Sequence, residues 1–151
     1  MLQRIQSLFI LLVIIISILM YFIPVAGFQA DSYQLFITGL QKNLTASKDI
    51  SSDAGWIMYF APVIIILSAF AIFKYKNRLL QIKICRLNIL FNIVLIVSIF
   101  YYTDLLEKSV AVKAQYKLGA VLPLFSVAFL YLAIFSIRKD EKLVKSADRL
   151  R

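Results

Sequence analysis

The chain has 151 residues, 62% of them hydrophobic, and its formal net charge is +9 at pH 7. Soluble domains are about 45–50% apolar, so a soluble globule of this size would not bury so many apolar side chains. With no histidine, one cysteine and 4 glycines, the chain lacks the residues that zinc sites, phosphate loops and an intramolecular disulfide need. Composition predicts a membrane protein that is not an enzyme and binds no metal or cofactor.

Four apolar segments are long enough to cross a bilayer, whose hydrocarbon core of about 30 Å needs about 20 helical residues. They cover residues 7–27, 56–73, 87–102 and 118–137, and the third has to be extended back to about residue 82. The first is longer than a secretory signal and predicts an uncleaved anchor. The predicted fold is an all-α integral membrane protein, a single-domain antiparallel up-and-down bundle of four transmembrane helices.

The basic residues fall on alternate sides of these segments. Of the 17 Lys and Arg residues, 12 lie before the first segment, in the link 74–86 or in the tail 138–151: Arg4, Lys74, Lys76, Arg78, Lys83, Arg86, Arg138, Lys139, Lys142, Lys145, Arg149 and Arg151. By the positive-inside rule, that side and both termini are cytoplasmic, and the links 28–55 and 103–117 lie outside. The sequence thus predicts a multi-pass protein of the cell membrane.

The basic side also predicts partners. Each Lys or Arg near anionic headgroups contributes about 1 kcal/mol of attraction to the membrane surface, so anionic lipid headgroups are predicted partners and nucleic acid is not. The candidate contacts with lipid or with a protein partner are Arg4, Lys74, Lys76, Arg78, Lys83, Arg138 and Lys139.

Two regions outside the apolar segments have sequence patterns that predict secondary structure. Residues 32–40 are partly alternating and rich in aromatic and β-branched side chains, which predicts a short strand and is compatible with a small extracytoplasmic β-hairpin cap. In the tail, an apolar stripe and the pair Glu141 and Lys145 predict that the fourth helix continues into the cytoplasm. Asp140 and Glu141 are expected to be neutralised by the basic residues beside them.

Asn88 and Asn92 are the most polar feature within a predicted span, and Cys85 precedes them on the same helical face. Polar side chains lose their hydrogen bonds in lipid, so these residues should point into the bundle. Two interpretations remain open. The pair is either a clasp between helices, with about 0.6 kcal/mol per hydrogen bond, or part of a pocket that binds a lipid headgroup or small ligand together with Arg86 and Cys85.

Five stretches of sequence carry a resemblance to a known family: MLQRIQ at 1–6, CRLN at 85–88, GAVLP at 119–123, IRKDEKLV at 137–144 and SADRLR at 146–151. In this order and spacing, the chain resembles an uncharacterised family of small bacterial four-span inner-membrane proteins, a domain of unknown function. The resemblance covers essentially the whole chain. It implies an inner-membrane location and a four-helix architecture, with no assigned activity.

The sequence therefore favours a non-enzymatic structural or accessory subunit that acts through helix packing, with a membrane-protein partner or a second copy of itself. The alternative is a small transporter or a lipid- or ligand-binding membrane protein that uses the polar pocket on the third helix. A proton-coupled exporter is disfavoured, because no carboxylate lies inside a predicted span.

Overall fold

Most of the described chain is helical. A computed structural model describes residues 3–28, 33–42, 54–75, 77–110 and 112–149. Its helices are α1 (Gln3–Leu19), α2 (Phe60–Phe73), α3 (Arg78–Val110) and α4 (Leu118–Arg149), with a 3₁₀ turn, Ala54–Tyr59, before α2. A small antiparallel sheet accompanies them.

Three helical segments of the described chain are long and apolar enough to cross a membrane, namely Trp56–Phe73, Arg78–Ser109 and Leu118–Lys142. The apolar part of α1, Ile5–Leu19, is shorter. Three of the four predicted spans therefore meet this criterion by length and composition. α1 does not meet it by itself.

The helices pack in the order α1, α2, α3, α4, and α4 returns to α1. The hydroxyl of Tyr21, just after α1, donates to the carbonyl of Met58, just before α2, at 3.1 Å. Arg78, which begins α3, donates through Nη1 to the carbonyl of Asp140 in α4 at 2.8 Å. The first bond joins the end of α1 to the start of α2, and the second joins the start of α3 to the C-terminal half of α4, so both pairs of neighbouring helices run antiparallel.

The sheet has four strands, β1 (Ala26–Phe28), β2 (Tyr33–Phe36), β3 (Gly39–Lys42) and β4 (Gln115–Tyr116), in the order β3-β2-β1-β4. β2 and β3 form a hairpin that covers most of residues 32–40, where the sequence predicted a strand, and continues to Lys42. Gly39, which follows the two-residue turn, has a positive φ of 131°. β1 and β4 were not predicted. They extend the hairpin into a sheet that connects the end of α1 to the start of α4.

The helix bounds differ from the predicted spans at several ends. α1 stops at Leu19, well before residue 27, because the chain turns there and residues 26–28 pair with β2 and β4. α3 has 33 residues and includes parts of both flanking links. α4 continues to Arg149, as the pattern of the tail predicted.

The first turn of α4 lies against the backbone that follows α1. Gly119 N donates to the carbonyl of Pro24 at 3.1 Å, and Lys117 N donates to that of Val25 at 2.9 Å. A Cβ atom on Gly119 would lie 2.5 Å from the Pro24 oxygen and 2.8 Å from that of Ile23. Only glycine fits at this position without moving the backbone.

Gly119→Ala should therefore lower the free energy of unfolding by about 1–3 kcal/mol, the usual cost of overpacking a close contact. Thermal unfolding of the purified chain in mild detergent measures the change. Leu118→Ala is the matched control, because the neighbouring Leu118 side chain is exposed. Equal melting temperatures for Gly119→Ala and wild type would contradict the close contact.

Candidate functional site

α3 carries two buried amides, and one of them, Asn88, binds α2. Asn88 Nδ2 donates to Ser68 Oγ at 2.7 Å and to the carbonyl of Ile64 at 3.3 Å. Asn92 Nδ2 donates to the backbone oxygen of Asn88 at 2.9 Å and approaches its Oδ1 at 3.3 Å. Both side chains are buried. This is the geometry of a clasp between α2 and α3, and it matches the first of the two interpretations of these residues.

Three buried polar atoms have no hydrogen-bond partner within the described part of the chain: Gln81 Oε1, Asn92 Oδ1 and Ser126 Oγ. Asn92 lies 14 residues after Arg78, and Ser126 lies 14 residues before Asp140, which Arg78 contacts. At 1.5 Å per residue, both are about 21 Å from that contact. The Asn92 and Ser126 oxygens therefore lie at a similar depth in the helical interior, on two helices that pack together.

The structure separates the four residues of the predicted pocket. Cys85, Asn88 and Asn92 are buried on one face of α3, whereas Arg86 is exposed. Arg86 lies in a groove between α3 and α4, away from the two amides. The arginine and the asparagines therefore do not form a single site.

The α3–α4 groove has a volume of about 450 Å³ and lies at the basic end of the molecule. Four of its lining residues are cationic, two from each helix: Lys83, Arg86, Arg138 and Lys142. Glu141 contributes a carboxylate, and Leu79 and Ile82 contribute apolar surface. The groove thus combines excess positive charge with an apolar wall.

The predicted contacts at the basic end fall into separate environments. Lys83 and Arg138 line the groove, whereas Lys139 lines a smaller cavity of about 170 Å³ between α1 and α4. Lys74 Nζ lies 5.5 Å from the centre of the Phe70 ring. Of the remaining three, Arg78 bonds the Asp140 backbone, Arg4 lies in α1, and Lys76 lies outside the described residues.

One buried residue, Asp140, connects three helices near the basic end through its carboxylate and its backbone carbonyl. Asp140 is 6% exposed and Gln6 is 4% exposed. Gln6 Nε2, from α1, donates to Asp140 Oδ2, and Arg78, from α3, donates to the Asp140 carbonyl. The sequence predicts that the basic neighbours of Asp140 along the chain neutralise it, and it does not predict the contact with Gln6. The sequence signal for the burial of Asp140 is its position three residues after Ile137, which continues the buried stripe of α4.

The sequence of the chain matches one known family. The model of a family described as a domain of unknown function (DUF4293) matches residues 2–150. The chain belongs to this family. No curated protein and no solved structure matches it. Membership of DUF4293 confirms the resemblance to a domain of unknown function that the sequence carries.

Gln6→Leu should lower the free energy of unfolding by about 1.5–3 kcal/mol, because it removes a hydrogen bond to a buried carboxylate and leaves an apolar group beside it. Replacing both partners, as in Gln6→Leu with Asp140→Leu, should recover most of the loss, since two apolar side chains then meet. Chemical denaturation in detergent of wild type, both single variants and the double variant gives the coupling. A double variant no more stable than Gln6→Leu would contradict the pairing.

Proposed function

We propose that this chain is a multi-pass protein of the bacterial inner membrane that crosses the bilayer with all four helices and acts as a non-enzymatic accessory subunit. The observation that carries the proposal is the distribution of polarity. Large apolar side chains cover the outward faces of all four helices, while Ser68, Asn88, Asn92 and Ser126 are buried inside. A soluble protein has the opposite pattern, and hydrocarbon is the solvent that fits this one.

α1 is part of this apolar surface. Its side chains Leu8, Leu11 and Ile18 are 55%, 50% and 45% exposed. With 17 residues it rises about 26 Å, and its two ends contact opposite ends of the helical assembly, near Asp140 through Gln6 and near Met58 through Tyr21. α1 thus runs from the basic end of the assembly to the sheet end, which supports a fourth membrane crossing despite its length.

The proposed orientation follows from the two different ends. One end holds the sheet. The other holds six exposed basic side chains: Lys74, Lys83, Arg86, Arg138, Lys139 and Lys142. The positive-inside rule puts the basic end, and with it both termini, in the cytoplasm.

An accessory role is supported by what the polar side chains do. Asn88 and Ser68 join α2 to α3, and Gln6 and Asp140 join α1 to α4. Hydrogen bonds of this kind hold helices together in lipid. The surfaces left for other molecules are the apolar helix faces, the sheet and the basic end, which suit a membrane-protein partner or a second copy of the chain.

A second candidate function, a small transporter or ligand-binding protein, is favoured by the buried Asn92 Oδ1 and Ser126 Oγ. Unpaired oxygens in an apolar interior cost about 1–3 kcal/mol each. A small polar molecule or water between α3 and α4 would remove that cost.

Membrane crossing and orientation are tested by single-cysteine labelling in a Cys85→Ala background. Thr38→Cys lies in the β2–β3 turn and Tyr75→Cys follows α2, and both positions are exposed. We expect a membrane-impermeant maleimide to label the first in intact spheroplasts and the second only after lysis. Labelling of position 75 in intact spheroplasts, or release of the chain by alkaline carbonate, would contradict the proposal.

Purification from its own membrane in mild detergent, followed by mass spectrometry of proteins and small molecules, separates the two functions. The accessory role predicts a stoichiometric membrane-protein partner or a stable homo-oligomer, and a monodisperse lone monomer counts against it. The second candidate predicts the chain with one enriched metabolite, lost in Asn92→Leu with Ser126→Ala while the fold persists.

A further inference from the structure

We propose that the α3–α4 groove binds one anionic phospholipid, with its phosphate between Lys83 and Arg86 of α3 and Arg138 and Lys142 of α4. The acyl chains would follow the outer faces of the same two helices. This inference rests on the proposed membrane crossing, because a lipid reaches the groove only if the helices are in the bilayer.

The charges of the groove fit a phosphate group. Four cations and one carboxylate line it, so it attracts anions and disfavours cationic or neutral headgroups. Each helix supplies one guanidinium, from Arg86 and from Arg138. The planar fork of arginine donates two hydrogen bonds to phosphate oxygens, which makes a phosphodiester a better match than an isolated point charge.

The apolar part of the groove favours a lipid over free phosphate. Leu79 and Ile82 line it beside the cations. Toward the middle of α3, Leu90 lies four residues after Arg86 and is exposed. Since residues three or four apart share a helical face, an apolar track continues from the basic groove. The volume of about 450 Å³ lies within the usual range of small-ligand sites, about 300–1,000 Å³.

Three other basic side chains at this end of the molecule do not line the groove and have other contacts. Arg78 donates to the Asp140 carbonyl and Lys74 lies over the ring of Phe70. Lys139 lines a separate cavity against α1. Lys74 and Lys139 therefore provide matched charge-removal controls at the same end of the molecule.

Native mass spectrometry of the full chain, extracted from membranes and delipidated in detergent, tests the site with dioleoylphosphatidylglycerol as the anionic probe. Dioleoylphosphatidylcholine is the zwitterionic control, and glycerol 3-phosphate is the headgroup without acyl chains. We expect wild type to retain one phosphatidylglycerol at least about tenfold more tightly than phosphatidylcholine, and glycerol 3-phosphate not to compete. Arg86→Gln with Arg138→Gln should weaken phosphatidylglycerol binding at least about tenfold.

Lys74→Gln with Lys139→Gln removes the same charge and should change the affinity less than about twofold. If the arginine pair unfolds, as judged by its melting temperature, Lys83→Gln with Lys142→Gln takes its place with the same expected direction. Equal retention of both lipids by wild type, or equal losses in groove and control variants, overturns the site while leaving the membrane crossing intact. Full competition by glycerol 3-phosphate overturns the lipid in favour of a free phosphate compound. Failure of the proposed membrane crossing itself appears separately, as an abnormal labelling pattern or release by carbonate.

Discussion

Most of the buried polar side chains on the described helices form hydrogen bonds with other protein groups, while the outer faces of the helices are apolar. Some bind their own helix: Ser17, Ser98 and Thr103 each donate to the carbonyl four residues earlier, at 2.8 Å. Others, such as Asn88 and Gln6, bind across to a neighbour. In hydrocarbon a polar group without a partner is costly. The few crossing bonds therefore determine the register in which α2 meets α3 and α1 meets α4, which apolar contacts specify less strictly.

The two ends of the molecule are held together by different kinds of contact. At the sheet end, backbone groups bond directly, through the pairing of β1 with β4 and the contacts of Lys117 and Gly119 with the segment after α1. At the basic end, the hydrogen bonds between the described parts of different helices are donated by the side chains of Gln6 and Arg78 to Asp140. Backbone contacts depend little on side-chain identity, except where a Cβ would intrude, as at Gly119. Side-chain contacts can be altered by substitution or by a ligand.

Local sequence patterns predicted much of the fold. The features that they did not predict depend on pairing between residues far apart in the sequence. Segment length and hydropathy indicated the three helices that are long and apolar enough to cross a membrane, and alternation near residues 33–40 indicated a strand in the region of the hairpin. The sequence did not predict a strand at residues 26–28, because these residues lie at the end of an apolar run and their partner β4 is almost 90 positions later. The burial of Asp140 was hidden by its charged neighbours, although its spacing from Ile137 placed it on the inner face of α4.

The candidate site also has a part that local spacing predicts and a part that depends on contacts between distant residues. Residues 85, 88 and 92 are spaced by three and four and share a helical face, which is why their common burial followed from the sequence. Arg86 is two residues from Asn88, and on a helix such residues point about 200° apart at 3.6 residues per turn. In the structure, the two residues accordingly lie on different faces of α3. α3 uses one face to bind α2 and presents Arg86 on another, beside Arg138 of α4. A phosphate between those two arginines would join α3 and α4 at the end where side chains, rather than backbone pairing, hold the helices together.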